Sequence, residues 1–437
     1  MKAAVIGAGL AGVEAAWQLT KHGVVVDLYE MKPEKRSPAH KTDWFAELVC
    51  SNSLKAERHN SAAGLLKEEM ASFGSLCVES ALQSRVPAGG ALAVDRDCFS
   101  KYITKKIEEN PQITVIRKEV SDLPDGYDAV IIAAGPLASD GISETVRALA
   151  GDGLSFYDAA APIVTAESID MAEAFTQSRY DRGGADDYIN CPLDKAQYEA
   201  FYEALVTAES AELHSFDKRK DVYEGCMPIE VLASRGKDAM RYGPLKPVGL
   251  TNPKTGHRPW ANLQLRKENC AGTLYNLVGF QTNLKFSEQK RVFSMFPALK
   301  NAEFVRYGVM HRNTFLDSPR HLNGDFSLRS RPEIFFAGQI TGVEGYMESA
   351  ASGILAGLNA ARRLQALPTV ILPETTMMGA LSRYISDESV RDFQPMGANF
   401  GVLPPLTEKI RDKALRYTAL ADRAEADLQK FREEQGL

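Results

Sequence analysis

A glycine-rich turn near the start of the chain carries residues that could hold the phosphates of a dinucleotide. Residues 7–12 read Gly-Ala-Gly-Leu-Ala-Gly after a short apolar run, and Glu30 ends the next apolar run. The first glycine permits a tight turn, the second lets a pyrophosphate approach the backbone, and the third lets helix and strand pack closely. The helix N-terminus would face the phosphates, and Glu30 could accept a ribose hydroxyl. The predicted binding residues are Gly7, Ala8, Gly9, Leu10, Ala11, Gly12 and Glu30; the alternative is a structural turn without a ligand.

A second glycine turn lies near the other end of the chain. Residues 333–338 predict a buried strand, residues 339–346 read Gln-Ile-Thr-Gly-Val-Glu-Gly-Tyr, and an alanine- and glycine-rich helix follows to Leu364. In many flavoproteins such a strand, turn and helix closes over the flavin end of the cofactor. Because a dehydrogenase that uses NAD alone does not need this second element, the pair favours FAD. The predicted contacts are Gly338, Gln339, Gly342, Glu344, Gly345 and Tyr346; the alternative is a tightly packed helix without a ligand.

Two cysteines stand where a reactive thiol would be useful. Cys226 lies two residues before Pro228, which favours the first turn of a helix, and a helix N-terminus stabilises a thiolate. The carboxylate of Glu224 opposes that effect. Cys50 ends an apolar run just before Ser51-Asn52-Ser53. Because a lone cysteine is more often a small buried hydrophobe, spacing alone does not favour a catalytic role for either residue.

Basic and aromatic residues alternate through the middle of the chain, from Arg235 to Lys267. A surface that contacts phosphates and stacks on bases has this composition, and so does an ordinary solvated surface. His40 and His311 could act as general acids or bases, although a structural role is more common for single histidines.

Composition limits the class of protein. The chain has 437 residues, of which 44% are hydrophobic and 25% charged, and its net charge is -6. It contains no run of about 18 apolar residues and no recognisable signal peptide, so we expect no membrane association. Its six cysteines form no CxxC pair, so we expect neither a metal site nor a disulfide scaffold, and a reducing cytoplasm fits. With a negative net charge, nucleic-acid binding would need a local basic face.

Alternating strands and helices in the first third of the chain predict an α/β fold with a doubly wound parallel sheet. In this part, Asp97 or Ser100 is expected to cap the helix that reaches Ile107. The middle of the chain instead predicts short antiparallel strands between residues 260 and 280. We therefore predict a discontinuous Rossmann-like FAD-binding domain, residues 1–180 and 325–437, with a smaller α+β domain inserted at 181–324 that faces the substrate.

Several longer blocks of sequence resemble a known family. The chain is similar, nearly from end to end, to the bacterial folate- and FAD-dependent tRNA uracil-5-methyltransferases, the TrmFO family. The blocks around the two cysteines are far more specific than the glycine turns. The resemblance is carried by residues 7–12, 45–54 (FAELVCSNSL), 86–96 (VPAGGALAVDR), 157–162 (YDAAAP), 224–231 (EGCMPIEV), 307–315 (YGVMHRNTF) and 335–353 (FFAGQITGVEGYMESAASG).

The resemblance implies a reaction and its participants. Methylenetetrahydrofolate would supply a one-carbon unit, reduced FAD the reducing equivalents, and NAD(P)H would reduce the flavin. The acceptor would be C5 of the T-loop uridine of tRNA, position 54. The family's two cysteines match Cys50 and Cys226, which reverses the interpretation from spacing. We expect Cys226 to be the nucleophile and Cys50 its partner and base, with an exchange of roles left open, and Tyr346 and His311 as further pocket residues.

Three alternatives remain open at the level of sequence. A related, larger flavoprotein modifies wobble uridines of tRNA, but it carries a C-terminal helical domain that is not obvious here. A small-molecule flavin oxidoreductase would not need the basic and aromatic middle region. A non-catalytic flavin-binding sensor would not need the two cysteines as a pair. The sequence gives no oligomeric state.

Overall fold

A computed structural model describes residues 1–37, 39–151, 154–184, 186–211 and 227–437, and only the backbone of residues 154–158, 181, 311 and 312. None of the helices in these ranges is both long and apolar enough to cross a membrane. The strands described are β1 (Lys2–Ile6), β2 (Val25–Glu30), β3 (Ser53–Ala56), β4 (Arg85–Val86), β5 (Ala91–Val94), β6 (Ile113–Arg117), β7 (Ala129–Ile132), β8 (Leu154–Ala159), β9 (Ile163–Thr165), β10 (Phe175–Thr176), β11 (Tyr188–Leu193), β12 (Ala261–Lys267), β13 (Leu274–Leu277), β14 (Phe304–Arg306), β15 (Met310–Phe315) and β16 (Ile334–Phe336). The α-helices described are α1 (Leu10–Lys21), α2 (Ala62–Ser72), α3 (Leu76–Gln83), α4 (Arg96–Glu108), α5 (Asp140–Ala150), α6 (Lys195–Val206), α7 (Ile229–Ser234), α8 (Phe286–Phe293), α9 (Ser318–His321), α10 (Tyr346–Leu364), α11 (Met377–Ser386) and α12 (Lys413–Gln435).

A parallel sheet of five strands forms the first layer, in the order β16-β7-β1-β2-β6. In chain order the strands stand as 5-4-1-2-3, which is the arrangement of a Rossmann fold with its switch point between β1 and β7. All residues of β1 after Lys2 are buried, as expected for a strand in the middle of a parallel sheet. The predicted α/β class and Rossmann-like sheet are confirmed.

Helices α1 and α10, one from each end of the chain, pack directly on each other. Glycines in α10 make this approach possible. A Cβ atom on Gly353 would lie 2.1 Å from the carbonyl oxygen of Ala11, and one on Gly357 would lie 2.6 Å from that of Ala15. The small residues of α10 thus serve helix packing, and this packing brings the two glycine turns side by side.

A six-stranded antiparallel sheet forms a second layer, in the order β10-β11-β12-β13-β9-β14. The antiparallel pairing of β12 with β13 confirms the prediction for residues 260–280. This layer has its own hydrophobic core, whereas the larger core combines residues from both ends of the chain. Strands β9 and β10 precede residue 181, so the second sheet begins upstream of the predicted insertion. The domain boundaries stay a prediction.

Helix α4 begins earlier than its predicted caps, because its N-cap is Asp95. One carboxylate oxygen of Asp95 accepts the N–H of Cys98 at 3.0 Å, and the other accepts the N–H of Cys270 at 3.0 Å. The prediction of Asp97 or Ser100 was wrong. The second contact comes from the loop between β12 and β13, which the local sequence does not show.

Candidate functional site

A cavity of about 440 Å³ is lined by residues that follow β1 and β7, where the strand order reverses. Open α/β sheets bind their ligands at such a switch point. Both glycine turns reach this cavity, and Cys50 lines it as well. The predicted cofactor residues on its wall are Gly7, Ala8, Gly9, Leu10, Ala11, Glu30, Gly338, Gln339, Glu344, Gly345 and Tyr346.

The three glycines of the first turn differ in what surrounds them. A Cβ atom on Gly7, where φ is +101°, would lie 2.5 Å from the carbonyl oxygen of Ala133, and one on Gly12 would lie 1.7 Å from that of Gly7. Packing inside the protein therefore requires glycine at both positions. Gly12 does not line the cavity. A Cβ atom on Gly9 would meet no protein atom within 4 Å. That open space, at the N-terminus of α1, fits a pyrophosphate.

Glu30 lies at the end of β2 with its carboxylate held by backbone amides. Its two oxygens accept the N–H groups of Ala8 at 3.0 Å and of Lys32 at 2.9 Å. These contacts fix an acceptor beside the glycine turn, where a ribose diol would be recognised. Glu30 is buried in the protein, and it also lines the cavity. Gly9, Glu30 and the start of α1 together fit the adenosine half of FAD.

The second turn uses left-handed backbone to bring α10 to the cavity. Gly338, Gly342 and Gly345 have φ values of +89°, +85° and +125°. Gly342 does not line the cavity, because it packs against the ring of Phe393, which a Cβ atom would approach to 2.4 Å. Helix α10 begins at Tyr346 on the cavity wall, so its positive end faces the cavity.

Cys50 lies beside Tyr346 on the wall of the cavity. The Tyr346 Oη accepts the N–H of Cys50 at 2.7 Å and that of Ser51 at 3.2 Å, and it lies 2.9 Å from Cys50 Sγ. Burial raises the pKa of Tyr346 well above its usual range, and so does the neighbouring Cys50. The phenol therefore keeps its proton. Because two amides already donate to Oη, that proton is left to donate to the sulfur.

Arginines from two distant elements hold the backbone before Cys50. Arg96 donates from Nη1 to the carbonyl oxygen of Leu48 at 2.8 Å, and Arg306 donates to that of Val49. Burial lowers the pKa of Arg306, while Tyr346, Glu268 and Cys50 act in the opposite sense. The guanidinium of Arg306 is thus held at the residue next to Cys50.

The second layer holds the backbone after Cys50. Arg266 of β12 is buried and donates to Ser51 Oγ and Asn52 Oδ1, both at 3.0 Å. Asn52 Nδ2 in turn donates to the carbonyl oxygens of Val94 and Lys267, both at 3.0 Å. The backbone after Cys50 is therefore tied to β12 of the six-stranded sheet and, through Val94, to β5.

The three arginines were missed as functional residues. Two of them left a signal in the sequence, since Arg96 ends the block at 86–96 and Arg306 precedes the block at 307–315. Nothing local marks Arg266. Contacts between such distant segments do not follow from periodicity or spacing.

Cys226 lies outside the described residues, and so does the side chain of His311, whose backbone belongs to β15. The described chain resumes at Met227, and the N–H of Ile229, at the start of α7, donates to the carbonyl oxygen of Gln281 at 2.7 Å. Gln281 lines the cavity. His40 is also on the wall; burial lowers its pKa, and its Nδ1 lies 2.6 Å from Ser37 Oγ.

Comparisons with known proteins agree with this architecture. The family model GIDA, described as glucose inhibited division protein A, matches residues 2–368. The chain is 56% identical over 434 residues to a methylenetetrahydrofolate--tRNA-(uracil-5-)-methyltransferase TrmFO of Desulfitobacterium hafniense (strain Y51), covering 99% of each chain. It is 56% identical over 431 residues to a TrmFO of Lactiplantibacillus plantarum, covering 98% of this chain and 97% of the relative.

A solved structure of Aquifex aeolicus GidA matches 99% of this chain and 76% of its own length, with a TM-score of 0.68 and 16% identity. At that identity the likeness shows the fold alone. The two TrmFO relatives are more similar to this chain than GidA is, because they are 56% identical to it over nearly the whole length of each pair. The chain belongs to the TrmFO family, within the wider GidA family.

Proposed function

We propose that this protein is a tRNA methyltransferase that forms 5-methyluridine at the T-loop uridine, position 54, with methylenetetrahydrofolate as the one-carbon donor. The observation that carries the proposal is the placement of Cys50 on the cavity that both glycine turns line. A bound dinucleotide would end beside a thiol whose surroundings stabilise an anion. The relatives named for this reaction support the choice of substrates.

FAD is the dinucleotide that the two glycine turns fit, with Gly9, Glu30 and the start of α1 holding one end and the start of α10 the other. When bound and reduced, FAD would supply the hydride that converts the transferred carbon to a methyl group. We take NAD(P)H as the source of that hydride.

The chain's own residues would activate the base. C5 of uracil is a weak carbon nucleophile, and a thiolate that bonds to C6 makes an enolate that attacks through C5. C5 then bonds to the donor's methylene carbon as one of the two carbon–nitrogen bonds of that carbon breaks. A base must afterwards take the C5 proton, so that the second carbon–nitrogen bond breaks and an exocyclic methylene group is left on C5. Addition of a hydride to this methylene group gives the methyl group as the thiolate leaves C6.

We assign Cys226 as the nucleophile and Cys50 as the base, and an exchange of these roles is a second form of the proposal. Cys50 is suited to holding a negative charge because the Tyr346 hydroxyl lies 2.9 Å from its sulfur and the Arg306 guanidinium is bound to the carbonyl oxygen of the preceding residue, Val49. The segment after Cys226 contacts Gln281 of the cavity wall, which supports the approach of the two cysteines. The target base has to leave its loop to reach this cavity. Free thiols of this kind act in a reducing cytoplasm, where we place the reaction.

The proposal is tested with purified holoprotein, NADPH, labelled methylenetetrahydrofolate and two tRNA transcripts that differ only in having uridine or cytidine at position 54. Label in 5-methyluridine from the first transcript alone is the expected result. No label in either transcript, or equal label in both, would overturn it. Label confined to the wobble position would identify the related wobble-modifying activity instead.

The cysteine roles are tested separately in the same assay. Cys226→Ala and Cys50→Ala should each abolish label transfer, while Cys98→Ala, an exposed cysteine that does not line the cavity, should retain it. Full activity of Cys226→Ala would remove the nucleophile assignment and leave the reaction class standing.

A further inference from the structure

We infer that residues 235–260, called the basic loop below, form a docking surface for RNA outside the cavity. This inference rests on the proposed function, because it takes tRNA as the substrate, and it adds where the RNA is held. The loop contains six lysine or arginine residues and one aspartate, so its formal charge is 6 - 1 = +5. The whole chain carries -6, so the remainder carries -11. Such a local positive segment attracts a polyanion to one place.

The positive side chains of the basic loop lie at the surface. Lys254, His257 and Arg258 are exposed, and no acidic residue interrupts the loop after Asp238. Asp238 pairs with Arg241 within the loop. Lys237 pairs with Glu199 outside the loop, so the exposed side chains of Lys254 and Arg258 are the charges best placed to contact phosphates.

Hydrogen bonds within the basic loop and contacts with the hydrophobic core hold its backbone in place. The N–H of Asn252 donates to the carbonyl oxygen of His257 at 3.0 Å, and Asn252 Oδ1 accepts the N–H of Lys254 at 3.0 Å, which closes a tight turn. Met240 and Leu245 anchor the loop in the core of the second layer. Because its backbone is already ordered, the loop loses little conformational entropy on binding.

Aromatic rings accompany the charges and favour RNA over an acidic protein or an anionic membrane. Tyr242 is 85% exposed, which is unusual for a large ring, and Trp260 is 37% exposed. The guanidinium of Arg241 lies 3.9 Å from the centre of the Trp260 ring, and its Nε donates to the Trp260 carbonyl oxygen at 3.0 Å. Exposed tyrosines and stacked arginines are the groups on which unpaired bases stack.

The end of the basic loop at Trp260 lies about one strand length away from the segment that holds Cys50. Strand β12 runs from Ala261, next to the loop, to Lys267, whose carbonyl oxygen contacts Asn52. At about 3.3 Å per residue, the strand separates the two ends by roughly 20 Å. RNA held by the loop would therefore contribute affinity, through parts of the tRNA other than the reacting uridine.

The test compares the double variant Lys254→Gln/Arg258→Gln with the control Lys105→Gln/Lys430→Gln, which removes the same charge from exposed positions elsewhere. The Kd for fluorescently labelled, unmodified tRNA is measured by anisotropy over a series of salt concentrations. The loop variant should raise Kd about tenfold and reduce the slope of log K against log salt by about one to two. Tyr242→Ala should raise Kd by about tenfold with little change in slope.

The same variants should keep the wild-type rate of flavin reduction by NADPH and the wild-type methyl transfer rate at saturating tRNA. A loop variant that binds tRNA as the control does, while wild type binds and methylates it, overturns the docking surface alone. A wild-type protein that binds no tRNA overturns the proposed function as well. Loop-dependent binding to anionic vesicles without binding to tRNA would also overturn the RNA assignment.

Discussion

Replacing Tyr346 by phenylalanine removes one oxygen atom from the site and should slow methyl transfer strongly. That oxygen accepts the N–H groups of Cys50 and Ser51 and lies 2.9 Å from Cys50 Sγ. A polar group left without its partner costs about 1–3 kcal/mol, and because these amides lie beside the cavity, we take about 1 kcal/mol for each. Together, about 2 kcal/mol corresponds to a rate reduced roughly 30-fold.

The assay for Tyr346→Phe is single-turnover methyl transfer at saturating tRNA and donor, with FAD content measured in parallel. Tyr198→Phe is the matched control, because the Tyr198 hydroxyl donates to the carbonyl oxygen of Lys237 at 2.5 Å, in the second layer. The control should keep the wild-type rate. A Tyr346→Phe protein with full FAD content and a rate within twofold of wild type would refute the role of Tyr346 in positioning Cys50.

Three further changes test the pyrophosphate site, the packing of α1 on α10 and a buried carboxyl group. Gly9→Val fills space that no protein atom approaches within 4 Å, so the fold should persist while FAD binds at least about tenfold more weakly in a fluorescence titration; unchanged affinity would contradict the pyrophosphate site. Gly353→Ala drives a Cβ atom into the carbonyl oxygen of Ala11 and should lower the free energy of unfolding by about 1–3 kcal/mol in urea, whereas Gly90→Ala, which meets no atom within 4 Å, should not. Burial raises the pKa of Glu69 from 4.5 to about 8. Between about pH 4.5 and pH 8, the carboxyl group of Glu69 is protonated in the folded state and ionised in the unfolded state. The contribution of Glu69 to the free energy of unfolding should therefore fall as the pH rises through this range. Glu69→Gln should remove that slope, and identical slopes for the two proteins would contradict it.

The first strand, glycine turn and helix could be predicted from sequence because their determinants are local. Glycine at 7, 9 and 12 sets the turn, and the apolar run before it sets the strand. Helix α1 begins at Leu10, within the glycine turn itself. Helix ends depend on a few backbone hydrogen bonds, which apolar periodicity does not report.

The surroundings of Cys50 could not be predicted in the same way. Arg96, Arg266 and Arg306 meet at one short segment although they lie far apart in the chain, and only the tertiary packing of α4, β12 and β14 around that segment brings them together. Asp95 shows the same limit on a smaller scale, because its second oxygen is occupied by an amide of a distant loop. The two cysteines could be proposed as reactive groups from sequence blocks, whereas the groups that hold Cys50 in place are visible only in the tertiary structure.

In the proposed reaction, a cysteine of this protein adds to the T-loop uridine, and C5 then accepts a carbon from methylenetetrahydrofolate. The most direct measurement uses a tRNA with 5-fluorouridine at position 54, together with donor and NADPH, because fluorine at C5 cannot leave as a proton does and the thiol stays bonded to C6. We expect a covalent protein–RNA complex that resists denaturation and carries the donor's carbon. Mass spectrometry should place the bond at Cys226, or at Cys50 if the roles are exchanged. The absence of that complex, or a bond to any other residue, would contradict the proposed reaction.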